Sequence, residues 1–255
     1  MFSVASILWL RGQLRHYATL LLGRRRIRLA NRTPVISFTF DDFPRSALHS
    51  GGGILQEYGV AGTYYTALGL MNAEAPVGRI FSEQDLHDVL GRGHELGCHT
   101  FDHCDAWNTD PITFENSILR NRQALNGLLP GAFFSTLSYP LSNPRPRTKQ
   151  KMEKYFLGCR GCSQQFNSGT IDLNYLRAFF LEQSRGDATA VKALIDDNCQ
   201  SGGWLIFATH DVAENPTKFG CTPAFFRDTV RHAVASGATI LPVAAAVKRI
   251  HGRAV

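Results

Sequence analysis

Residues 37–45 read SFTFDDFPR, an apolar, strand-like run that ends in two adjacent carboxylates, Asp41 and Asp42. Like charges side by side cost free energy unless a cation or a proton separates their roles, so the pair calls for a partner elsewhere in the chain. Outward from this run, strand-like and helical patterns alternate. VISFTF (35–40) is followed by ALHSGGGILQEYG and then the β-rich GTYYTAL (62–68). SEQDLHDVLGRGHELG sets Leu86, Val89 and Leu90 at helical spacing behind Ser82, with Asp85 at the third helical position, an acidic variant of the capping box. ITFENSILRNRQALNGLL (112–129) repeats the helical pattern and AFFSTLSYP returns to a strand. TIDLNYLRAFFL, the helix-like ATAVKALIDDNC, the strand GWLIFATH, the helix PAFFRDTVRHAVASG and ATILPV complete the chain. This alternation predicts an α/β fold, parallel strands wrapped by helices and closed or nearly closed into a barrel.

At 255 residues one domain is expected, and 44% hydrophobic with 19% charged residues excludes disordered, collagen-like and coiled-coil classes. The formal charge of +6 is unevenly placed. Residues 1–32 hold Arg11, Arg15, Arg24, Arg25, Arg26, Arg28 and Arg32 and no acid, so 20 basic residues face 21 acids in the remainder. A nearly neutral body argues against a nucleic-acid partner. The division expected is a basic arm over residues 1–33 and a catalytic domain over 34–250. The arm does not read as a signal peptide, because no positive charge precedes its apolar run and no small-residue site closes it. It also lacks the roughly 20 continuous apolar residues of a membrane span. Phe2, Leu8, Leu10, Leu14, Leu20 and Leu21 between arginines fit either an amphipathic helix on an anionic membrane surface or a helix packed outside the barrel. An acid-poor, Arg-rich arm also fits a transit peptide in a eukaryotic source. The expectation is a cytoplasmic protein, with residues 1–32 as the place for peripheral contact at the inner face of a membrane. Six cysteines read as reduced thiols, and the C-x-x-C of Cys159 and Cys162 has no second pair to complete a zinc site.

In barrels of this class the chemistry sits at the C-terminal ends of strands. That rule selects Asp41 and Asp42, His99 and His103 of HTFDH, Tyr139 and Pro140, and His210 and Asp211. On a helical turn the spacing of His99 and His103 puts two imidazoles on one face, and with one carboxylate they would make a two-histidine, one-carboxylate metal site with positions open for water and substrate. The other aspartate, off the metal, then serves as general base toward a water whose pKa the metal lowers toward ~7. Two solvated turn acids are the plain alternative.

SFTFDD, GHELGCHTFDH and IFATHD resemble, in order, the T-F-D-D, G-H-E-x-G-x-H-[ST]-x-x-H and L-x-x-H motifs of the polysaccharide deacetylases of carbohydrate esterase family four. The resemblance spans roughly residues 34–250. It implies a distorted or incomplete (β/α) barrel of about seven parallel strands. It implies hydrolysis of an N-acetyl group from an amino sugar of an oligosaccharide, polysaccharide or glycolipid, with release of acetate. The implied metal ligands are Asp42, His99 and His103, holding one divalent ion, zinc first and cobalt, nickel or manganese as alternatives. Asp41 matches the base and His210 the acid for the departing amine. The third motif, R-x-P-x-G, aligns with SYPLS, so Ser138 stands where an arginine is usual. Arg145 and Arg147 are the nearby candidates to replace it. The Leu141 backbone N–H is expected to face the substrate oxyanion, with Tyr139 and Trp107 beside the substrate. The fourth motif, which tunes the acid histidine, is missing, and Asp172 stands nearest to its place. His94 is expected to be structural, while Tyr64 and Tyr65 suit either a sugar platform or the core. A non-catalytic sugar-binding protein and a metal hydrolase of an ester or non-sugar amide are the competing functions.

Overall fold

The structure is a computed structural model that describes residues 4–29 and 33–251. Of the expected basic arm, Phe2 and Arg32 lie outside the described residues, as do the side chains of Leu8, Leu10 and Arg11. In chain order the elements begin with α1 (Val4–Leu21), β1 (Arg26–Arg28), β2 (Val35–Phe40), α2 (Gly53–Glu57) and β3 (Thr63–Thr66). A small hairpin, β4 (Glu74–Ala75) and β5 (Gly78–Arg79), leads to α3 (Glu83–Gly91), β6 (Glu95–Cys98), α4 (Pro111–Leu128), β7 (Thr136–Ser138) and α5 (Pro146–Met152). Then follow β8 (Gly158–Arg160), β9 (Thr170–Asp172), β10 (Phe179–Phe180), α6 (Ala188–Gln200), β11 (Trp204–Thr209), α7 (Pro223–Ala235), β12 (Thr239–Ile240) and α8 (Val243–His251).

The main sheet runs β10–β11–β2–β3–β6–β7–β8, seven strands paired in parallel, with β12 also parallel to the lower half of β2. The parallel barrel expected from the alternation is thus present, and it is incomplete. Between β8 and β10 the gap is bridged by irregular backbone bonds, Cys159 N–H to Leu173 O, Gly161 N–H to Leu176 O and Ser163 N–H to Ala178 O. Every residue of β2 and β11 is buried, as strands covered on both faces require. Ile36, Phe38 and Phe40 point into the larger apolar cluster, while Val35 joins Trp204, Ile206 and the α8 residues Val243, Ala246 and Val247 in a second one. The polar positions between them are satisfied. Thr39 donates to Phe207 O at 2.8 Å and Ser37 accepts from Trp204 Nε1 at 3.0 Å.

The glycines of GGGIL let a helix approach the sheet closely. A Cβ on Gly52 would lie 2.8 Å from the Tyr64 hydroxyl, and the segment 47–52 is wound as a π-helix before α2 begins. The capping box at Ser82 and Asp85 forms as expected, and Asp85 also binds Arg45 at 2.9 Å and His49 at 2.8 Å, tying the loop after Asp42 to α3. His49 is thus partnered by Asp85, and His232 by Asp196 at 2.9 Å. Within residues 1–33, α1 packs on α5 and β1 pairs antiparallel with β9. The fully buried Lys149 ammonium fastens them, donating to Thr19 O and Leu22 O and pairing with Asp172 at 2.6 Å.

Candidate active site

Asp41, Asp42, His99, Tyr139 and His210 lie at the C-terminal ends of strands of the main sheet. Asp41 and Asp42 follow β2, His99 follows β6, Tyr139 follows β7, and His210 follows β11. The chain turns sharply there, with Asp42 at φ 58°, His103 at φ 52° and Leu141 at φ 62°. Left-handed non-glycine residues of this kind gather where a fold must aim side chains at one point.

Asp42 Oδ1 lies 3.3 Å from His99 Nε2 and 2.9 Å from His103 Nε2, and ligand atoms of the three residues fall within 4.8 Å of one another. The helical turn expected for HTFDH is not what brings the imidazoles together. The segment is a loop, left-handed at Thr100 and His103, and held by Cys104 N–H to Thr100 Oγ1 at 2.9 Å and Phe101 N–H to Ser117 Oγ at 3.0 Å. His99 Nδ1–H donates to Ser138 O at 2.8 Å, which leaves the Nε2 lone pair facing Asp42. Burial alone would raise the Asp42 carboxyl. Its contacts with His103 and His99 outweigh that and hold it far below the usual carboxylate range. His103, which burial would lower, is instead raised by Asp42. Asp42 Oδ1 is buried without a hydrogen bond of acceptable geometry. One orphaned carboxylate oxygen and two neutral-capable imidazoles at about 3 Å are the donor set and spacing that a tetrahedral divalent ion takes, at ~2.0–2.2 Å per bond. The residues fit the ion that the resemblance implies.

Asp41 is surrounded differently. It is buried and ion-paired with the Arg160 guanidinium, which also reaches Ser138 Oγ. Burial would raise the Asp41 carboxyl, but Arg160, His99 and His210 together hold it below its ordinary value, so it stands as an anion. Arg160 was not among the expected residues. Neither Arg145 nor Arg147 takes the role: Arg145 is spent on the carbonyls of Trp107 and Asn108. In the ladder Ser138 of β7 sits directly opposite Arg160 of β8. The missing guanidinium thus enters from the adjacent strand, over the space a serine leaves. It lies between the rings of Tyr65, 5.1 Å from its centroid, and Phe180, 5.3 Å away. Gly97 is required by the same stack, since a Cβ there would come within 2.4 Å of the Tyr65 ring. The available signal was an arginine closing the strand FLGCR, which the C-x-x-C pattern obscured. Cys159 is buried and Cys162 exposed, on either side of Arg160.

His210 donates Nδ1–H to Phe219 O at 3.1 Å, leaving Nε2 as the free nitrogen. The acid brought to it is Glu182, 4.0 Å from Nδ1, after β10. Burial pushes the Glu182 carboxyl up to about 8, and its Oε2 has no hydrogen bond. Asp172 does not supply this acid. Its carboxylate pairs with Lys149 and accepts from the N–H groups of Arg25 and Asn174, on a strand bound to β1. Tyr139 differs from the expectation of a substrate contact: its ring packs in the core and its phenol donates to Asn174 O at 3.2 Å. Leu141 is 72% exposed at the tip of the loop after β7, and among the described residues its N–H has no acceptor. Trp107 lies under Arg15 of α1, 5.2 Å from ring centroid to guanidinium carbon, which covers one of its faces. Tyr64 and Tyr65 are buried core residues. His94 accepts from Gly62 N–H at 3.0 Å, and burial lowers it to about 4, so it is a neutral structural histidine as expected.

A family model described as polysaccharide deacetylase matches residues 29–157. Among curated proteins, a gellan lyase from Bacillus sp. is 23% identical over 251 residues, covering 84% of this chain and 10% of that protein. The chain thus spans about a tenth of the length of this curated relative. Among solved structures, the chitin deacetylase of Colletotrichum lindemuthianum matches at TM-score 0.60 and 16% identity over 87% of this chain and 90% of that one. The Xyl-CE4 domain of a multidomain xylanase from the hindgut metagenome of Trinervitermes trinervoides matches at 0.60 and 17%, over 87% and 92%. A family 4 acetyl xylan esterase from Clostridium thermocellum, in complex with a cobalt ion, matches at 0.56 and 15%, over 86% and 92%. At these identities the structural likeness speaks for the distorted barrel. The residues matched by the family model contain the carboxylate pair and both imidazoles of the site, and by that match this chain belongs to the polysaccharide deacetylase family.

Proposed function

We propose that the protein is a metal-dependent N-deacetylase that hydrolyses the N-acetyl group of an amino sugar in an oligosaccharide, polysaccharide or glycolipid and releases acetate. The observation that carries this reading is the division of the carboxylate pair, Asp42 facing two imidazoles and Asp41 facing a guanidinium. Asp42, His99 and His103 would hold the divalent ion, with zinc, cobalt, nickel and manganese all compatible with the donor set. A bound ion supplies Lewis-acid polarisation of the acetyl carbonyl and a water acidic enough to attack near neutral pH. Asp41, kept ionised by Arg160, takes the proton of the attacking water. The Leu141 N–H donates to the developing oxyanion. His210 Nε2 gives a proton to the departing amine, with Nδ1 anchored on Phe219 O. A non-catalytic sugar-binding role would require neither a paired base nor an anchored acid.

The test is acetate release from N-acetylglucosamine oligomers by protein loaded in turn with each metal. Chelation is expected to reduce it to background. The His99→Ala, His103→Ala variant should lose the ion by elemental analysis, and retention at wild-type stoichiometry would place the metal elsewhere. The likeness to an acetyl xylan esterase favours a second reading, hydrolysis of an O-acetyl ester on a sugar. Faster turnover of acetylated xylan than of the N-acetyl oligomer would decide for it.

Glu182 adds a prediction about proton handling. Glu182→Gln should leave kcat near neutral pH little changed and metal content unchanged, because burial keeps this carboxyl protonated below about 8 and the amide resembles the neutral acid. The sign with pH follows. Above about 8 the wild-type carboxyl becomes a negative neighbour of His210 and the amide does not, so the alkaline limb of the variant's rate profile should lie at lower pH than that of the wild type. A superimposable profile would remove Glu182 from this role.

A further inference from the structure

We propose that the face formed by α1, β1 and β9 is a docking surface for the headgroup layer of an anionic phospholipid membrane, with lipid phosphate received by an arginine-lined cavity of 520 Å³ beside α1. The first observation is where the exposed apolar residues lie. One side of α1 is engaged with the body: Thr19 is buried and donates to Pro144 O at 2.8 Å, and Leu20 packs against the core. The other side leaves Leu14, Tyr17 and Leu21 exposed at 61%, 56% and 60%, spaced three and four residues apart on one stripe, with Leu22 at 55% beyond. A contiguous apolar stripe of this kind marks a surface that is covered in use.

The second observation is the charge beside it. The cavity is lined by Arg24, Arg26 and Arg177 together with Leu20, Leu21, Tyr17 and Asp172. Asp172, its one carboxylate, is already matched by Lys149. On β1, Ile27 turns into the core, so Arg26 and Arg28 both face outward. Arg15 flanks the stripe on the Trp107 side, and residues 1–32 contain no acid to offset any of these charges. Apolar side chains flanked by guanidiniums are complementary to a surface that is apolar within and anionic at its rim, which describes a bilayer. A second copy would bring the same arginines into the contact and repel.

No described helix is long and apolar enough to cross a membrane, so the contact is interfacial. Through Arg15 over Trp107, and His16 Nδ1 at 3.3 Å from Asn143 Nδ2, the same helix rests on the loops after β6 and β7 that carry His103 and Leu141. Docking would therefore set the candidate site beside the headgroup layer. The docking proposal stands independently of the reaction assigned to that site.

The test is co-sedimentation of the full chain with phosphatidylcholine vesicles, with and without phosphatidylglycerol. Binding is expected only with the anionic lipid and should weaken as salt is raised. Two variants separate the components, each changing only exposed side chains and each checked for an unchanged melting temperature. Arg26→Glu/Arg28→Glu/Arg177→Glu should lower partitioning at least tenfold. Leu14→Ser/Leu21→Ser should do the same, although it leaves every charge in place. Wild-type binding by either variant, or equal binding to neutral vesicles, would overturn the proposal. So would thermal stabilisation by inorganic phosphate without vesicle binding, which would indicate a soluble-anion site, or self-association abolished by the leucine variant.

Discussion

Asp41→Asn is expected to slow deacetylation by about 10²-fold or more while the metal stays bound. The substitution preserves size, removes the proton acceptor and also leaves the buried Arg160 without its counter-charge, so folding is checked alongside the rate. The metal should be unaffected because the ligand atoms belong to Asp42, His99 and His103, whereas Asp41 contacts Arg160. Asp42→Asn should show the reverse order, losing the ion first and activity as a consequence. Metal content and single-turnover rate measured on both variants distinguish the two roles. Metal loss in Asp41→Asn with retention in Asp42→Asn would exchange the assignments. Wild-type rates in both would end the catalytic reading of the pair.

Arg160→Met is expected to cost about 3–5 kcal/mol of folding stability, because it strands the buried Asp41 anion without its partner. It should also lower kcat, since the carboxylate loses the group that orients it. The cost should be largely recovered in the double variant Arg160→Met/Asp41→Asn, where no uncompensated charge remains, while activity stays low. Denaturant melts of the four members of this cycle test the coupling, and additive losses would mean that the ion pair is incidental. The strand register adds a sharper test. Because Ser138 and Arg160 face each other across β7 and β8, Ser138→Arg/Arg160→Ser returns the guanidinium to the neighbouring strand. Part of the rate lost in Arg160→Ser should reappear. If it does not, the exact approach of Arg160, between Tyr65 and Phe180, matters more than the presence of a nearby charge.

Much of this arrangement was legible from local sequence. Strand ends are set by short apolar runs, and residues immediately beyond them share one rim of a parallel barrel, so sequence alone gathers Asp41, Asp42, His99 and His210. The capping box at Ser82 and the structural role of His94 were local in the same sense, each resting on residues whose neighbours the sequence already names. Tertiary structure decided the rest. HTFDH converges on Asp42 as a loop with two left-handed residues, because Ser117 of α4 holds Phe101 and the carbonyl of Ser138 orients His99, contacts that helical spacing does not anticipate. Tyr139 turned inward because Asn174 offers its phenol an acceptor. Arg160 and Glu182 were invisible as site residues for a common reason. Their positions depend on lateral strand pairing, β8 against β7 and β10 against β11, between segments that no short motif relates. Sequence spacing determines which side chains reach the rim. Which of them meet across it is set by strand register, and register is decided only when the whole sheet packs.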